Sequence, residues 1–369
     1  MEGLVNTMFQ DLKKFYKGKK VLMTGHTGFK GAWLSLWLLE LGAEVAGYAL
    51  EPNTDPSLYG ILGLEGRMIS GKGDIRDKGN FKSFFMDFRP EIVIHMAAQS
   101  LVRNSYEEPV ATYETNVIGT VNMFEVCRES SFVRSVVNVT SDKCYENHGE
   151  NRPYSESDPM GGYDPYSSSK GCAELVAGAY SRSFFSAGDY GKRHNTALAS
   201  VRSGNVIGGG DWNKDRLVPD CLKAAMSGKE TIIRYPDAVR PWQHVLEPLC
   251  GYLLLAKKLY EEGPGFSGAW NFGPGEKNEK PVKWILEKIN ESWEGGLSWK
   301  VVQKPQLHEA SYLRLDSKKA GSLLGWHPRM DLSLALRKTI EWYKAWQDKI
   351  DMHKYSSDQI EEYMRGGKA

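Results

Sequence analysis

Tyr166 and Lys170 stand four residues apart in YSSSK, directly behind Asp164 and Pro165. That spacing puts both side chains on one face of a helix, one turn apart. A lysine ammonium beside a phenol stabilises the phenolate, as does a positively charged cofactor ring, so the arrangement predicts a tyrosine that accepts a proton well below its ordinary pKa near ~10. A surface tyrosine and lysine would show the same spacing. The setting adds weight, because an apolar run ending in Thr140 and Ser141 precedes the pair. A second set is Gly25, Gly28 and Gly31 in TGHTGFKG, a GxxGxxG spacing that also contains Thr27, Phe29 and Lys30. It supplies a tight turn at Gly25, close backbone approach to a pyrophosphate at Gly28 and close helix packing at Gly31. Amides at the helix start then face the anion. A plain strand-to-helix turn is the simpler reading; a strand before and a helix behind favour dinucleotide binding.

These side chains need a framework of strands and helices in strict alternation. KKVLMTG reads as a strand, FKGAWLSLWLLELG as a helix and EVAGYAL as a second strand. The pattern continues with a helix at Asp77 to Phe88, a strand in EIVIHMAA, a long helix from Val110 to Glu129, and a strand in FVRSVVNVTS. A helix from Asp164 to Phe185 and a strand in NTALASVRSGNVIG follow. Alternation of this kind predicts an α/β protein with a doubly wound parallel sheet of the Rossmann type. It accounts for residues 19–204 as a dinucleotide-binding domain. Residues 205–369, opening on GGGDWNKD, read as a smaller mixed α/β substrate-binding lobe with C-terminal helices. Residues 241–273 return to the first domain through a helix and the strand GAWNFG. Leu332, Leu336, Ile340 and Tyr343 form one helical stripe, which reads as core packing.

At the end of the second strand stand Tyr48, Ala49 and Leu50, then Glu51. An acidic residue there suits the ribose of NAD and an arginine suits NADP; with no arginine at these positions, NAD is preferred. Asp74 and Ile75, in GDIRD, stand where an adenine edge is read or where a simple turn is made, and both readings stay open. The 369 residues carry 47 Lys and Arg against 46 Asp and Glu, a net charge of +1, which argues against nucleic-acid binding through bulk charge. Five widely spaced cysteines without a CxxC pair argue against a disulfide scaffold or zinc ribbon and fit a reducing cytoplasm. No cluster has metal-ligand spacing, and the longest apolar stretch, Gly31 to Ala43, contains Glu40 and is too short to span a membrane. The first 18 residues lack a signal-peptide core and read as a leader.

With TGHTGFKG, HMAAQS, YETNVIGT, VTSDKCYE and YSSSK in this order, the chain resembles the extended short-chain dehydrogenase/reductases along nearly its whole length. The resemblance implies NAD held by the glycine loop, by Ala97, Ala98 and Gln99, and by Asn116 on the cofactor side. It implies that Ser141 shares the substrate hydroxyl's proton with Tyr166. Nucleotide-sugar 4,6-dehydratases of this family carry two further functional residues after that hydroxyl, usually Asp-Glu; here they are Asp142 and Lys143. With HTGFKGAW, YALEPNTDPSLY, SGNVIGGGDW and RPWQHVLEPL, that departure resembles the branch acting on CDP-glucose. The implied reaction is oxidation at carbon 4, loss of the 6-hydroxyl and return of hydride to carbon 6, with Lys143 neutralised by burial as base and Asp142 protonated as acid. Arg103, Asn205, Arg216, Arg240, Asn271, His308 and Tyr312 are the implied substrate residues. A homodimer, or a dimer of dimers, pairs the helices at Val110 to Glu129 and Asp164 to Phe185; Cys172, Leu175 and Val176 would serve that interface or the core. The alternatives are a dehydratase or epimerase of a dTDP-, GDP- or UDP-sugar, and a non-catalytic NAD-binding regulator.

Overall fold

The apolar runs become strands, and in β4, β5 and β6 every residue is buried. The structure, a computed structural model, describes residues 2–150, 152–302 and 313–366. Its strands are β1 (Lys20–Thr24), β2 (Glu44–Ala49), β3 (Ile69–Lys72), β4 (Ile92–His95), β5 (Ser135–Val139), β6 (Ala197–Ser203), β7 (Asn205–Ile207), β8 (Thr231–Ile233), β9 (Val239–His244), β10 (Gly268–Phe272), β11 (Glu279–Pro281) and β12 (Trp299–Val301). Its helices are α1 (Glu2–Tyr16), α2 (Phe29–Glu40), α3 (Leu58–Ile61), α4 (Lys78–Phe88), α5 (Val102–Glu107), α6 (Pro109–Tyr113), α7 (Gly119–Arg128), α8 (Pro165–Ser183), α9 (Leu217–Ser227), α10 (Leu246–Glu262), α11 (Val282–Ser292), α12 (Lys318–Leu324), α13 (Leu332–Gln347) and α14 (Met352–Met364).

Seven strands form one parallel sheet in the order β10-β6-β5-β4-β1-β2-β3. Helices cover both faces, which explains the uninterrupted apolar runs. On one face Trp33 and Trp37 of α2 join Leu253, Trp342 and Tyr363 in a core that includes the C-terminal helices. On the other, Phe81, Phe85, Met123 and Phe124 pack on Leu22, Val136 and Leu198. Residues 268–272 pair with β6 in the main sheet, while β11-β9-β7 and β12-β8 form two small sheets beyond it.

Three elements differ from their sequence reading. NTALASVRSGNVIG, read as one strand, divides at Gly204 into β6 and β7, which enter different sheets. The segment Val110 to Glu129 is not one regular helix: a π-helical turn at Glu114–Ile118 separates α6 from α7. Such turns recur where a helix must present a side chain out of register, and this one carries Asn116. The residues read as a leader fold as α1, with Phe9, Leu12 and Tyr16 buried and the Tyr16 hydroxyl donating to Leu253 O at 2.8 Å. Phe9, Leu12 and Tyr16 share one face of that helix and so belong to the main core.

Leu12→Ala is therefore expected to lower stability by about 2–5 kcal/mol, as for other buried leucines. Denaturant unfolding measures it, and a change below about 0.5 kcal/mol would contradict the docking of α1.

Candidate functional site

The strand order reverses between β1 and β4, and at such a switch point the loops leaving the two strands diverge and open a crevice at their carboxyl ends. Here the crevice is a cleft of about 1010 Å³ that runs from the glycine loop across Ser141 and Tyr166 to Arg216 and Arg240. The β1–α2 turn forms its floor. Gly25 has φ +76°, and a Cβ there would lie 2.8 Å from the backbone of Ala97, so only glycine suits the turn. At Gly31 a Cβ would lie 2.2 Å from Gly25 O, which is how closely α2 packs on the loop. Gly28 caps α2 without any side-chain hydrogen bond, and the first turn holds no acid. The helix start thus presents unneutralised amides to the cleft, a cradle for an anion.

Thr27, Phe29, Lys30, Ala97, Ala98 and Gln99 line the same cleft. Lys30 turns inward: its ammonium donates to Ser203 Oγ at 2.8 Å, and that hydroxyl meets Tyr252 Oη at 2.9 Å. Burial, reinforced by Arg216 and Lys170, pulls Lys30 down to about 7. Asn116 acts from behind the wall. It accepts from the Gln99 amide at 2.8 Å and donates to Gln99 O at 3.0 Å and to Ser169 Oγ at 2.9 Å, fixing the β4 loop to α8. Ile75 and Asp74 reach the far end of the cleft, but the Asp74 carboxylate is gripped by Arg76 at 2.7 Å in a local turn.

Asp164 caps α8, accepting from the Ser167 amide at 2.9 Å, so that the helix begins at Pro165, one residue before Tyr166. Tyr166 and Lys170 face the end of β5, where Lys170 Nζ donates to Val139 O at 3.3 Å. The chain by itself does not depress the tyrosine. Burial, with the neighbouring Asp142, pushes the phenol up to about 12, against the opposing hydrogen bond with Ser141 and the charge of Arg216. Burial also lowers Lys170, to about 8. The protein alone excludes water from both groups and so disfavours both charges; a further cation is needed to draw the phenol down.

Ser141, Asp142 and Lys143 form the short turn after β5. Ser141 Oγ donates to Asp142 Oδ1 at 3.1 Å. Lys143 Nζ lies 3.8 Å from the same carboxylate oxygen, with Asp142 3 % and Lys143 32 % exposed. The burial expected to neutralise Lys143 is not supplied by the chain: its ammonium reaches the open cleft and pairs with Asp142.

Asn205, Arg216, Arg240 and Arg103 all line the cleft. Asn271 does not. Its side chain is fully buried and spent on Tyr145 Oη at 2.7 Å, Tyr154 O at 2.9 Å and Asp316 O at 3.2 Å, because β10 has carried it into the edge of the sheet. His308 and Tyr312 lie outside the described residues. One residue the sequence reading passed over is Asp211, which is buried and holds Arg216 Nη1 at 2.8 Å. Its signal was an acid in an otherwise glycine-rich turn five residues before an arginine.

The difference in ultraviolet titration between the protein and Tyr166→Phe is expected to show no tyrosinate from Tyr166 below about pH 10, because desolvation raises this phenol from its ordinary value. A tyrosinate signal assignable to Tyr166 near pH 8 would contradict the burial argument.

Residues 22–339 match the family model described as GDP-mannose 4,6 dehydratase. The CDP-glucose 4,6-dehydratase of Salmonella typhimurium is 53% identical over 352 residues, covering 95% of this chain and 98% of that protein. A dTDP-glucose 4,6-dehydratase of Escherichia coli is 25% identical, covering 92% and 97%. Among solved structures, an epimerase from Methanothermobacter thermautotrophicus superposes with a TM-score of 0.78 at 23% identity, covering 94% of this chain and 98% of that one. The dTDP-glucose 4,6-dehydratase of Bacillus anthracis, solved in complex with NAD, superposes with a TM-score of 0.73 at 21% identity, covering 90% and 99%. The solved structures share the fold, and the family model together with the end-to-end relative carries the conclusion that this chain belongs to the GDP-mannose 4,6 dehydratase family of extended short-chain dehydrogenase/reductases.

Proposed function

We propose that the protein is an NAD-dependent hydro-lyase that converts CDP-D-glucose to CDP-4-dehydro-6-deoxy-D-glucose and water. The observation that carries this is the Asp142–Lys143 pair beside Tyr166 in one cleft, in a chain 53% identical to a CDP-glucose 4,6-dehydratase. The uncapped start of α2 and the glycine cradle fit a dinucleotide pyrophosphate. NAD held there supplies a hydride acceptor for carbon 4, a positive charge and later the hydride for carbon 6.

Tyr166 takes the proton of the 4-hydroxyl, and Ser141, its hydrogen-bond partner, holds that hydroxyl in line. The resulting 4-ketone makes the hydrogen on carbon 5 acidic. Asp142 and Lys143 start as an ion pair. When the sugar displaces water from the cleft, transfer of one proton from Lys143 to Asp142 removes two charges from a desolvated site. It leaves an amine that accepts the carbon 5 proton and an acid that donates to the departing 6-hydroxyl. As hydride returns to carbon 6, Lys143 gives its proton back to carbon 5, and the proton held by Tyr166 then passes to Lys143 and restores the starting charges. Arg216, steadied by Asp211, and Arg240 serve the substrate pyrophosphate, for which the planar guanidinium is well shaped. Arg103 and Asn205 complete that side of the cleft.

The product is a deoxysugar precursor, as made for lipopolysaccharide O-antigen, and the proposed setting is the cytoplasm. In support, all five cysteines are free, and no helix among the described residues is long and apolar enough to cross a membrane. The functional unit is proposed to be a homodimer. Val110, Tyr113 and Ile118 on α6 and the turn behind it, with Leu175 on α8, are exposed apolar residues on adjoining helices, the kind of patch a twofold covers.

Turnover of CDP-, dTDP-, GDP- and UDP-glucose at equal concentration tests the assignment: CDP-glucose should lead by at least about tenfold, and preference for another base overturns it. Tyr166→Phe should lower kcat by about 10²–10⁴, whereas Lys143→Ala should leave oxidation intact and block elimination in a single turnover. Leu175→Asp should shift the sedimenting species to a monomer; an unchanged dimer would place the interface elsewhere.

A further inference from the structure

Beneath the turn that carries Ser141, Asp142 and Lys143 lies a buried ion pair that takes no part in the chemistry above. Glu174 follows Lys170 by four residues, so α8 presents it on the face of Tyr166 and Lys170, one turn further along. Its two carboxylate oxygens accept from Arg202 Nε at 2.8 Å and Arg202 Nη2 at 2.9 Å, with the two side chains 5 % and 4 % exposed. Arg202 comes from β6, the strand beside β5.

The pair is not closed on itself. Glu174 Oε1 also accepts the Thr140 hydroxyl at 2.5 Å. Arg202 Nη1 donates to the Tyr145 phenol at 2.7 Å, and that phenol donates onward to Asn271 Oδ1 at 2.7 Å. Among the described residues its one other outward hydrogen bond is a long one, from Arg202 Nη1 to Glu156 O at 3.4 Å. Thr140 and Tyr145 flank the turn, one on each side of Ser141 to Cys144. A bidentate pair fixes both partners in a plane. A buried pair serving stability alone is commonly replaceable by apolar side chains of similar volume; this one spends its short outward bonds on the two ends of a single segment.

We infer that Glu174 and Arg202 are positioning residues for the elimination half of the reaction: one ion pair, rooted on α8 and β6, clamps residues 140 and 145 and so holds Asp142 and Lys143 in register with Tyr166. The inference rests on the functional reading above. Tyr166 and Lys170 are fixed by α8 itself, and the arginines proposed for the pyrophosphate, Arg216 and Arg240, belong to other elements. Slack in the clamp therefore falls on Asp142 and Lys143, and displacement of a reacting group by about 1 Å costs on the order of 10²-fold in rate.

The test uses the purified full chain with NAD and CDP-glucose, comparing wild type, Glu174→Gln and Thr140→Val. Glu174→Gln should lower kcat about 10²-fold with KM within about twofold. Absorbance of reduced nicotinamide near 340 nm should rise and persist in a single turnover, because oxidation outruns elimination. Thr140→Val cuts one arm and leaves the ion pair intact, so it should show the same pattern at about tenfold, with a smaller fall in melting temperature than Glu174→Gln. A Thr140→Val enzyme with wild-type kcat and no transient overturns the clamp even if Glu174→Gln fails to fold. A Glu174→Gln enzyme whose only defect tracks a lower melting temperature also overturns it. Wild type that does not turn over CDP-glucose overturns the functional reading instead.

Discussion

One face of α8 is kept out of water against the end of β5, and the rest of the site is arranged around that desolvation. Lys170 loses affinity for its proton there and Tyr166 holds its own more tightly. Low dielectric thus opposes the charged forms that proton transfer from a sugar hydroxyl requires. It also makes every nearby charge count for more. Arg216 faces the phenol and the Ser141 hydroxyl bonds to it, and a bound oxidised nicotinamide adds a charge that no side chain supplies. In the proposed reaction the electrostatic demand created by burial would be met when the cofactor arrives, and the tyrosine would then serve as the base.

The sheet explains how so few charges suffice. With β4 and β5 parallel and adjacent, the loops that follow them reach the same end of the sheet as the glycine turn after β1. β6 then delivers Arg202 and Ser203 beneath the site before the chain leaves, through β7, for Asp211 and Arg216. A chain of net charge +1 can offer two anion sites because each is built from local donors: in the proposed function, amides at the start of α2 serve one pyrophosphate and arginine forks the other.

The alternation of strands and helices was legible because both faces of a parallel sheet are covered, which makes its strands uninterrupted apolar runs. The glycine triplet was legible because backbone crowding at Gly25 and Gly31 admits nothing larger. Tyr166 and Lys170 were legible from helical spacing. What sequence did not reveal was direction and enclosure. The depression expected for Tyr166 rests on a cofactor charge as well as on Lys170, and the burial expected for Lys143 depends on atoms contributed by other elements. Asn271 looked like a site residue in a glycine-rich motif, yet strand pairing with β6 turned it into the sheet. Glu174 and Arg202 carried signals that were present but unused: a third residue at four-residue spacing after Tyr166 and Lys170, and a charge inside an apolar strand.

The central claim is that oxidation, elimination and reduction occur on one sugar within one cleft, with no hydrogen surrendered from carbon 4 to solvent. A mixture of CDP-glucose deuterated at carbon 4 and unlabelled CDP-glucose carrying a heavy-carbon tag, converted by the enzyme and analysed by mass spectrometry, measures this directly. The account predicts deuterium at carbon 6 of the same molecules that carried it at carbon 4, and none in the tagged product. Deuterium lost to water, or appearing in the tagged molecules, would contradict it.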